Sequence, residues 1–300
     1  MGADALRSRF VGSLLGTGVG DSLGAARWLR PVGRELSPFY TDDTHMMIGV
    51  AESLLAVGGF DRDHMLETFV GNWELEPWRG YGPGPPVIFR AYRAGRDPYE
   101  VARELYPGGS YGNGAAMRVA PIACLYHDDL GQLREVVYEA SGITHTHPLG
   151  QEGAFLQAAA IALALTTERG QLDHTGFLEQ LAALVEHDIY ARKLAAIRRL
   201  LGSRPTRGQV VRELGNSVEA FNSVPTAIYA FLAHDQFELA VRYAVGLGGD
   251  SDTIGAMTGA ISGAYFGVEG IPARWLDELE NREYIEQLAV RLWELKRALG

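Results

Sequence analysis

The chain has 300 residues, 47% of them hydrophobic and 21% charged, enough apolar content for one large globular domain. Its net charge of −10 and pI of about 5.3 exclude a basic nucleic-acid-binding surface. Its single cysteine, Cys124, excludes an internal disulfide and a cysteine zinc site, and fits a reducing cytoplasm. The first residues, Met1-Gly2-Ala3-Asp4, lack the basic segment of a signal peptide. The most apolar stretches, 154–165 and 254–266, are shorter than the ~18–20 residues of a membrane span.

The pattern is helical nearly throughout. Leu6, Phe10, Leu14 and Leu15 predict a helix over 5–16. The stretch Gly16–Gly24 looks like a dinucleotide loop, but Leu23 stands where the last glycine of G-x-G-x-x-G belongs, and no strand precedes it. Its glycines are read as close helix packing, and Asp21 as a polar neighbour of a metal site. Residues 25–40, with Pro31, Gly33 and Pro38, read as an irregular segment placed to cover that site. A helix from 42 stops at Gly58-Gly59, and Asp61 or Asp63 caps the next, to about Glu74. Arg79–Pro86 is a rigid turn region, and Asp97-Pro98 opens a helix ending at Pro107-Gly108-Gly109. Ser110-Tyr111-Gly112-Asn113-Gly114 then leads into the helical run from Ala115, a loop whose unpaired N–H groups suit phosphate. Thr144-His145-Thr146-His147-Pro148 closes a helix begun near 130; a His-x-His pair before proline is more often structural than ligating. Further helices are predicted at 149–168, 175–187, 188–201, 205–214, 219–232, 235–246, after Thr253, and at 283–298. The basic residues of 192–207 read as a solvated face. No alternating β-branched run, repeat or linker interrupts this pattern, so the expected architecture is a single all-α domain over 1–300.

Two short segments carry the chemistry. Thr41-Asp42-Asp43-Thr44 and Asp250-Ser251-Asp252-Thr253 each open a helical run. One acidic cap alone is ordinarily only an N-cap. Two, each rich in Thr and Asp, supply hard oxygen ligands suited to a pair of Mg²⁺ or Mn²⁺ ions. After the second, Gly255, Gly259, Gly263 and Gly267 recur every four residues, a smooth stripe that lets another helix approach closely.

Four segments in order resemble the ADP-ribosylglycohydrolase family, over nearly the whole chain: Gly20-Asp21-Ser22-Leu23-Gly24, Tyr40–Thr44, Gly112–Arg118 and Gly248–Thr253. Residues 215–233 and Gly109–Gly114 are most similar to the branch acting on serine-linked ADP-ribose and poly(ADP-ribose). The resemblance implies an all-α fold with two divalent cations held by Thr41, Asp42, Asp43, Asp250, Asp252 and Thr253, and the ribose diol above them. It implies a diphosphate on Ser110, Tyr111, Gly112 and Asn113 and on the Gly80-Tyr81-Gly82 turn, with His145 near the ligand. Ser217 and Val218 would line the adenosine side, with Tyr106 and Tyr111 as stacking candidates. Asp43 and Asp252 would act in catalysis, Asp43 or another carboxylate of the pair as base. The serine-specific branch has a glutamate seven residues beyond its Gly-Asp motif; here that residue is Trp28. Glu35 is the expected substitute, swinging over the metals.

The expected activity is hydrolysis of an O-linked ADP-ribosyl bond, with ADP-ribosyl-arginine as the alternative leaving group. The expected partner is an ADP-ribosylated protein or a small ADP-ribose compound, and the expected state a cytoplasmic monomer. Two other classes compete. Gly108-Gly109-Ser110-Tyr111-Gly112 fits the serine-hydrolase G-x-S-x-G, but a helix end precedes it rather than a strand. A non-catalytic ADP-ribose binder or structural protein fits less well with two intact acidic segments.

Overall fold

The helical period of the sequence is matched by the computed structural model, which describes residues 2–29 and 32–299. The first elements are α1 (Ala3–Leu29), α2 (Asp42–Val57), α3 (Arg62–Leu75), α4 (Gly84–Arg93), α5 (Pro98–Glu104) and α6 (Gly114–Met117). They are followed by α7 (Ala120–Tyr126), α8 (Leu130–Ser141), α9 (Pro148–Thr166), α10 (His174–Ala182), α11 (Asp188–Leu201) and α12 (Arg207–Leu214). The chain ends with α13 (Ala220–Leu232), α14 (Phe237–Gly246), α15 (Ser251–Phe266), α16 (Ala273–Glu278) and α17 (Arg282–Leu299). Among the described residues there is no strand, only an isolated antiparallel bridge between Gly112 and Glu219. The fold is therefore all-α. No described helix is long and apolar enough to cross a membrane.

The centre is the pair α1 and α15. Every residue of α15 is buried. The two helices run antiparallel with glycine on glycine: Gly12 meets Gly263, Gly16 meets Gly259, Gly20 meets Gly255, and Gly24 meets Ser251 and Asp252. A Cβ on any of these would collide with backbone across the interface. Helical glycine costs about 1 kcal/mol relative to alanine, and backbone-to-backbone packing offsets that cost. For this reason α1 does not stop at Gly16, as its apolar period predicts, but continues through the glycines to Leu29. The expected irregularity at 25–29 is thus helix, and Pro31 lies outside the described residues. Phe10, Leu14 and Leu15 are fully buried on the other side of α1. Arg9 of α1 donates through Nη1 to the carbonyls of Leu165 (2.7 Å) and Thr167 (2.6 Å), a cation on the C-terminal end of α9.

Helix starts largely follow the expected caps. Asp61, not Asp63, caps α3, accepting from His64 N–H at 2.8 Å. Asp97 caps α5 and Asp129 caps α8. The turn region 79–86 is shorter than its composition suggests, because Pro85 and Pro86 occupy the first turn of α4, where a missing N–H costs nothing. The run from 115 breaks at Arg118 into α6 and α7, and α10 ends at Ala182 rather than 187.

Gly259→Ala is expected to destabilise the protein by about 1–3 kcal/mol, the usual cost of overpacking. Gly71→Ala, where a Cβ meets nothing within 4 Å, should stabilise by roughly 0.5–1 kcal/mol. Urea unfolding of both variants measures the contrast; equal shifts would remove the close approach from the account.

Candidate active site

Asp21 of α1 organises the first acidic segment. Its Oδ2 accepts from the N–H of Thr41 (2.9 Å), the N–H of Thr44 (3.2 Å) and the hydroxyl of Thr44 (2.6 Å). Its Oδ1 lies 2.8 Å from the Thr41 hydroxyl. Thr41 is the N-cap of α2, its side chain accepting from Asp43 N–H. The second segment follows Gly248 and Gly249, both at positive φ. At Gly249 any side chain would strike Asn216, whose carbonyl accepts the Asp250 N–H at 2.8 Å. Asp250 stands at the N-cap of α15 but does not cap it with its side chain. Its Oδ2 instead accepts from Asn113 Nδ2 at 2.6 Å. The Thr253 hydroxyl lies 3.4 Å from Asp43 Oδ2, so the two segments meet.

This crowding has an electrostatic consequence. Burial, then the charges of Asp21 and Asp252, push Asp42 up to about 8. Burial and Asp250 push Asp252 up to about 7. Asp43, Asp250 and Asp21 are raised too, chiefly by burial. Asp43 Oδ1 and Asp252 Oδ1 are buried without a hydrogen-bond partner. Orphaned carboxylate oxygens on facing helix starts are the donor set of a hard divalent cation. Among the described residues no three acidic, His or Cys side chains converge as a closed metal cage.

The acidic segments form one end of a cleft of about 680 Å³. Gly80, Gly82, Pro83 and Pro85 line it together with Tyr106 and Ser110–Gly114. Residues 111–113 pair with 218–220: Asn113 N–H donates to Val218 carbonyl (2.9 Å), and Ala220 N–H to Tyr111 carbonyl (3.0 Å). The loop rests on His145, and a Cβ on Gly114 would strike that ring. Arg118 is the one cation in the described wall. It is buried, its Nη2 donating to Ala140 carbonyl (3.1 Å) and to Thr144 Oγ1 (2.9 Å). Thr144 Oγ1 is 2.8 Å from His145 Nδ1. Thr144 Oγ1 thereby links the Arg118 guanidinium to Nδ1 of the imidazole, whose Nε2 lies beside the loop. Burial and then Arg118 push His145 down to about 3.

The structure brings together in one cleft Gly80, Gly82, Tyr106, Ser110, Tyr111, Gly112, Asn113, His145 and Val218 with Asp42, Asp43, Asp250, Asp252 and Thr253. Four predicted residues, Thr41, Tyr81, Ser217 and Glu35, lie off its wall. Thr41 is behind Asp43. Tyr81 turns inward, its hydroxyl 2.9 Å from His45 Nδ1. Ser217 bonds Glu219 and Asn222, leaving Val218 and Glu219 to face the cleft. Glu35 is a correction. Its carboxylate accepts from Arg274 Nε (2.9 Å), Trp275 Nε1 (3.1 Å) and Arg242. Burial raises its pKa, but these partners outweigh burial and hold it at about 2. The backbone N–H groups of Glu35 and Leu36 are bound by Glu278. The loop thus lies on α16 and does not cover the site, because two arginines hold Glu35 away from a cluster that would repel it. His147 is structural, capping α9 with Nδ1 on Leu149 N–H (3.1 Å).

Sequence reasoning gave no role to Arg118, Met46 or Thr144. A lone arginine after a Gly-Asn loop has no spacing signal, and only burial reveals it. It also missed a clamp behind α2. Arg79, 3% exposed, pairs with Glu280 (2.7 Å) and Glu76 (2.8 Å) and donates to the Tyr40 carbonyl (3.1 Å). Glu280 also accepts the Tyr40 N–H at 3.1 Å, so the residue before Thr41 is held on both sides.

The family model of ADP-ribosylglycohydrolase matches residues 2–299. The chain is 37% identical to ADP-ribosylhydrolase ARH3 of Bos taurus, over 97% of this chain and 94% of that one. It is 36% identical to ADP-ribosylhydrolase ARH3 of Homo sapiens, with the same coverage. It is 28% identical to the ADP-ribosyl-[dinitrogen reductase] glycohydrolase of Rhodospirillum rubrum, over 94% of both chains. A solved structure described as an ADP-ribosylglycohydrolase-related protein complex superposes with a TM-score of 0.78 at 30% identity, covering 98% of this chain and 99% of that one. With the four motifs meeting around one cleft and the family model spanning its helices from first to last, the chain belongs to the ADP-ribosylglycohydrolase family.

Proposed function

We propose that this protein hydrolyses the glycosidic bond between ADP-ribose and an O-linked acceptor: serine, poly(ADP-ribose) or an O-acyl group. The observation that carries this reading is the pair of orphaned carboxylate oxygens, on Asp43 and Asp252, at one end of a cleft whose other residues suit a nucleotide diphosphate. Thr41, Asp42 and Asp43 from α2, with Asp250, Asp252 and Thr253 from α15, would hold two Mg²⁺ or Mn²⁺ ions. When bound, such ions fix sugar hydroxyls and acidify water.

The chain's own groups account for the remaining steps. Tyr106 and Tyr111, 37% and 44% exposed on the cleft wall, offer ring faces to the adenine. The loop at 110–114, apart from the N–H groups of Gly112 and Asn113 that Ser110 and Val218 take, and the His145 ring offer polar contacts to the diphosphate. Cleavage breaks the bond from C1″ to the acceptor oxygen through an oxocarbenium-like state, and water adds at C1″. Asp43 or another carboxylate of the set takes the proton that this water releases, and one proton passes to the departing oxygen, so that the acceptor leaves as its hydroxyl compound. A free cytoplasmic monomer acting on ADP-ribosylated proteins or small ADP-ribose compounds is the setting this reading requires.

Asp43→Ala and Asp252→Ala are each expected to lower kcat/KM on serine-linked ADP-ribose by roughly 100-fold or more, the order seen when a transition-state contact is lost. Excess chelator should abolish turnover, and full activity in chelator would overturn the metal assignment.

Glu35→Gln should leave kcat within about two-fold, because its partners are arginines of the surface, and a small stability loss of up to ~1 kcal/mol is expected from exposed pairs. A large fall in kcat at saturating metal would return Glu35 to the mechanism.

The folded state keeps His145 neutral to about pH 3, whereas the unfolded chain takes up that proton near 6.5. Stability from this residue is therefore complete above pH 6.5 and is lost as pH falls from there towards 3. Urea midpoints between pH 7 and 5 should fall less steeply in His145→Gln than in the parent; identical slopes would contradict the assignment.

A further inference from the structure

The face of α1 that carries the glycine stripe continues past the N-terminal end of α15. Gly24 is its last contact, against Ser251 and Asp252 in the first turn of α15. The next residue on that face, four positions on, is Trp28. Helix α15 has begun only at Ser251, so it offers no further turn to cover the indole. Trp28 is 63% exposed and lines the cleft together with Asp42, Asp43, Asp250 and Asp252. By contrast Trp78, 55% exposed, packs its ring on Phe39 and under Arg79.

Tyr106 and Tyr111 belong to the loop that carries the glycines and Asn113, whereas Trp28 follows, one turn on, the Gly24 that packs against Asp252 of the acidic segment. With ADP-ribose laid from the tyrosines to the carboxylates, as the hydrolase reading has it, the group beyond C1″ that would meet the indole is the acceptor. A small acyl group would leave the ring in water; a polypeptide leading out of the cleft would cover it. Because α1 is helical to Leu29, Trp28 keeps the helix face of Gly24.

We propose, resting on the hydrolase reading above, that Trp28 is the acceptor-side specificity residue. Its indole packs against a polypeptide acceptor and selects peptide-linked ADP-ribose over small O-acyl compounds. The contact is apolar, so it contributes at any salt concentration.

The test compares wild type, Trp28→Ala and Trp28→Phe on an ADP-ribosyl-serine peptide and on 1″-O-acetyl-ADP-ribose, with calorimetric affinities for ADP-ribose and for the peptide substrate in chelator. Trp28→Ala should lower kcat/KM for the peptide by about ten-fold, mainly through KM, as for loss of one aromatic contact. It should change O-acetyl-ADP-ribose turnover less than two-fold and leave ADP-ribose affinity unchanged, and Trp28→Phe should recover most of the loss. Equal losses on both substrates, weaker ADP-ribose binding, or unchanged kinetics throughout would each overturn the proposal. If wild type binds both ligands but cleaves neither, the hydrolase reading falls by itself. The ratio of peptide-substrate to ADP-ribose affinity in wild type and Trp28→Ala then still decides the role of Trp28.

Discussion

The site depends on how closely α1 and α15 approach. Glycine facing glycine at three successive levels, with Gly24 against Ser251 and Asp252 at a fourth, locks the helices in register, because a shift of one residue would drive side chains into backbone. That register sets the height of Asp21 on α1 against Asp252 on α15. Asp21 in turn holds the first turn of α2 through the N–H and hydroxyl groups of Thr41 and Thr44. The two acidic segments, some two hundred residues apart in the chain, thus meet by hanging from one helix. The Arg79–Glu280 pair completes the support by gripping Tyr40 from the side opposite Asp21.

The carboxylates are held together against their own repulsion. Burial and proximity both favour the protonated forms, as the raised values of Asp42 and Asp252 record. The scaffold tolerates this because close packing is distributed along the whole of α1 and α15, so a locally costly cluster sits on a part of the fold that cannot relax. Arg118 supplies the single positive charge of the described wall and passes its influence through Thr144 to His145. One end of the cleft is thereby negative and short of cations, and the other carries N–H donors and exposed ring faces. A substrate with a sugar at one end and a diphosphate and base towards the other matches that polarity.

The missing glutamate changes how the mouth of the cleft is built. A helical α1 running to Leu29 presents Trp28 at that level, and the shortened loop behind it is tied to α16 through Glu35 and Glu278. Where the resemblance leads one to expect a carboxylate, the cleft has the indole of Trp28. The two Thr/Asp segments keep the residues of the resemblance.

Much of this was legible in the sequence, for local reasons. Helices, caps and the glycine stripe follow from 3.6-residue periodicity and from side chains that satisfy the nearest N–H groups, and those rules act within a few residues. The two Thr/Asp segments and the Gly-Asn loop were readable because their chemistry is contiguous. What lay beyond sequence is what depends on distant partners. The glycines of 16–24 read equally well as a helix end, and only the matching stripe on α15 makes them a helix interior. Glu35 had the right charge and neighbourhood for the site, yet Arg242, Arg274 and Trp275 come from elements more than two hundred residues away and capture it. Arg118 acquires its meaning from burial beneath Thr144 and His145, and Trp28 from the point at which α15 begins. Residue type and spacing determined which groups were available; tertiary packing decided which of them share a cleft, because charge and burial act through distances that only the folded chain sets.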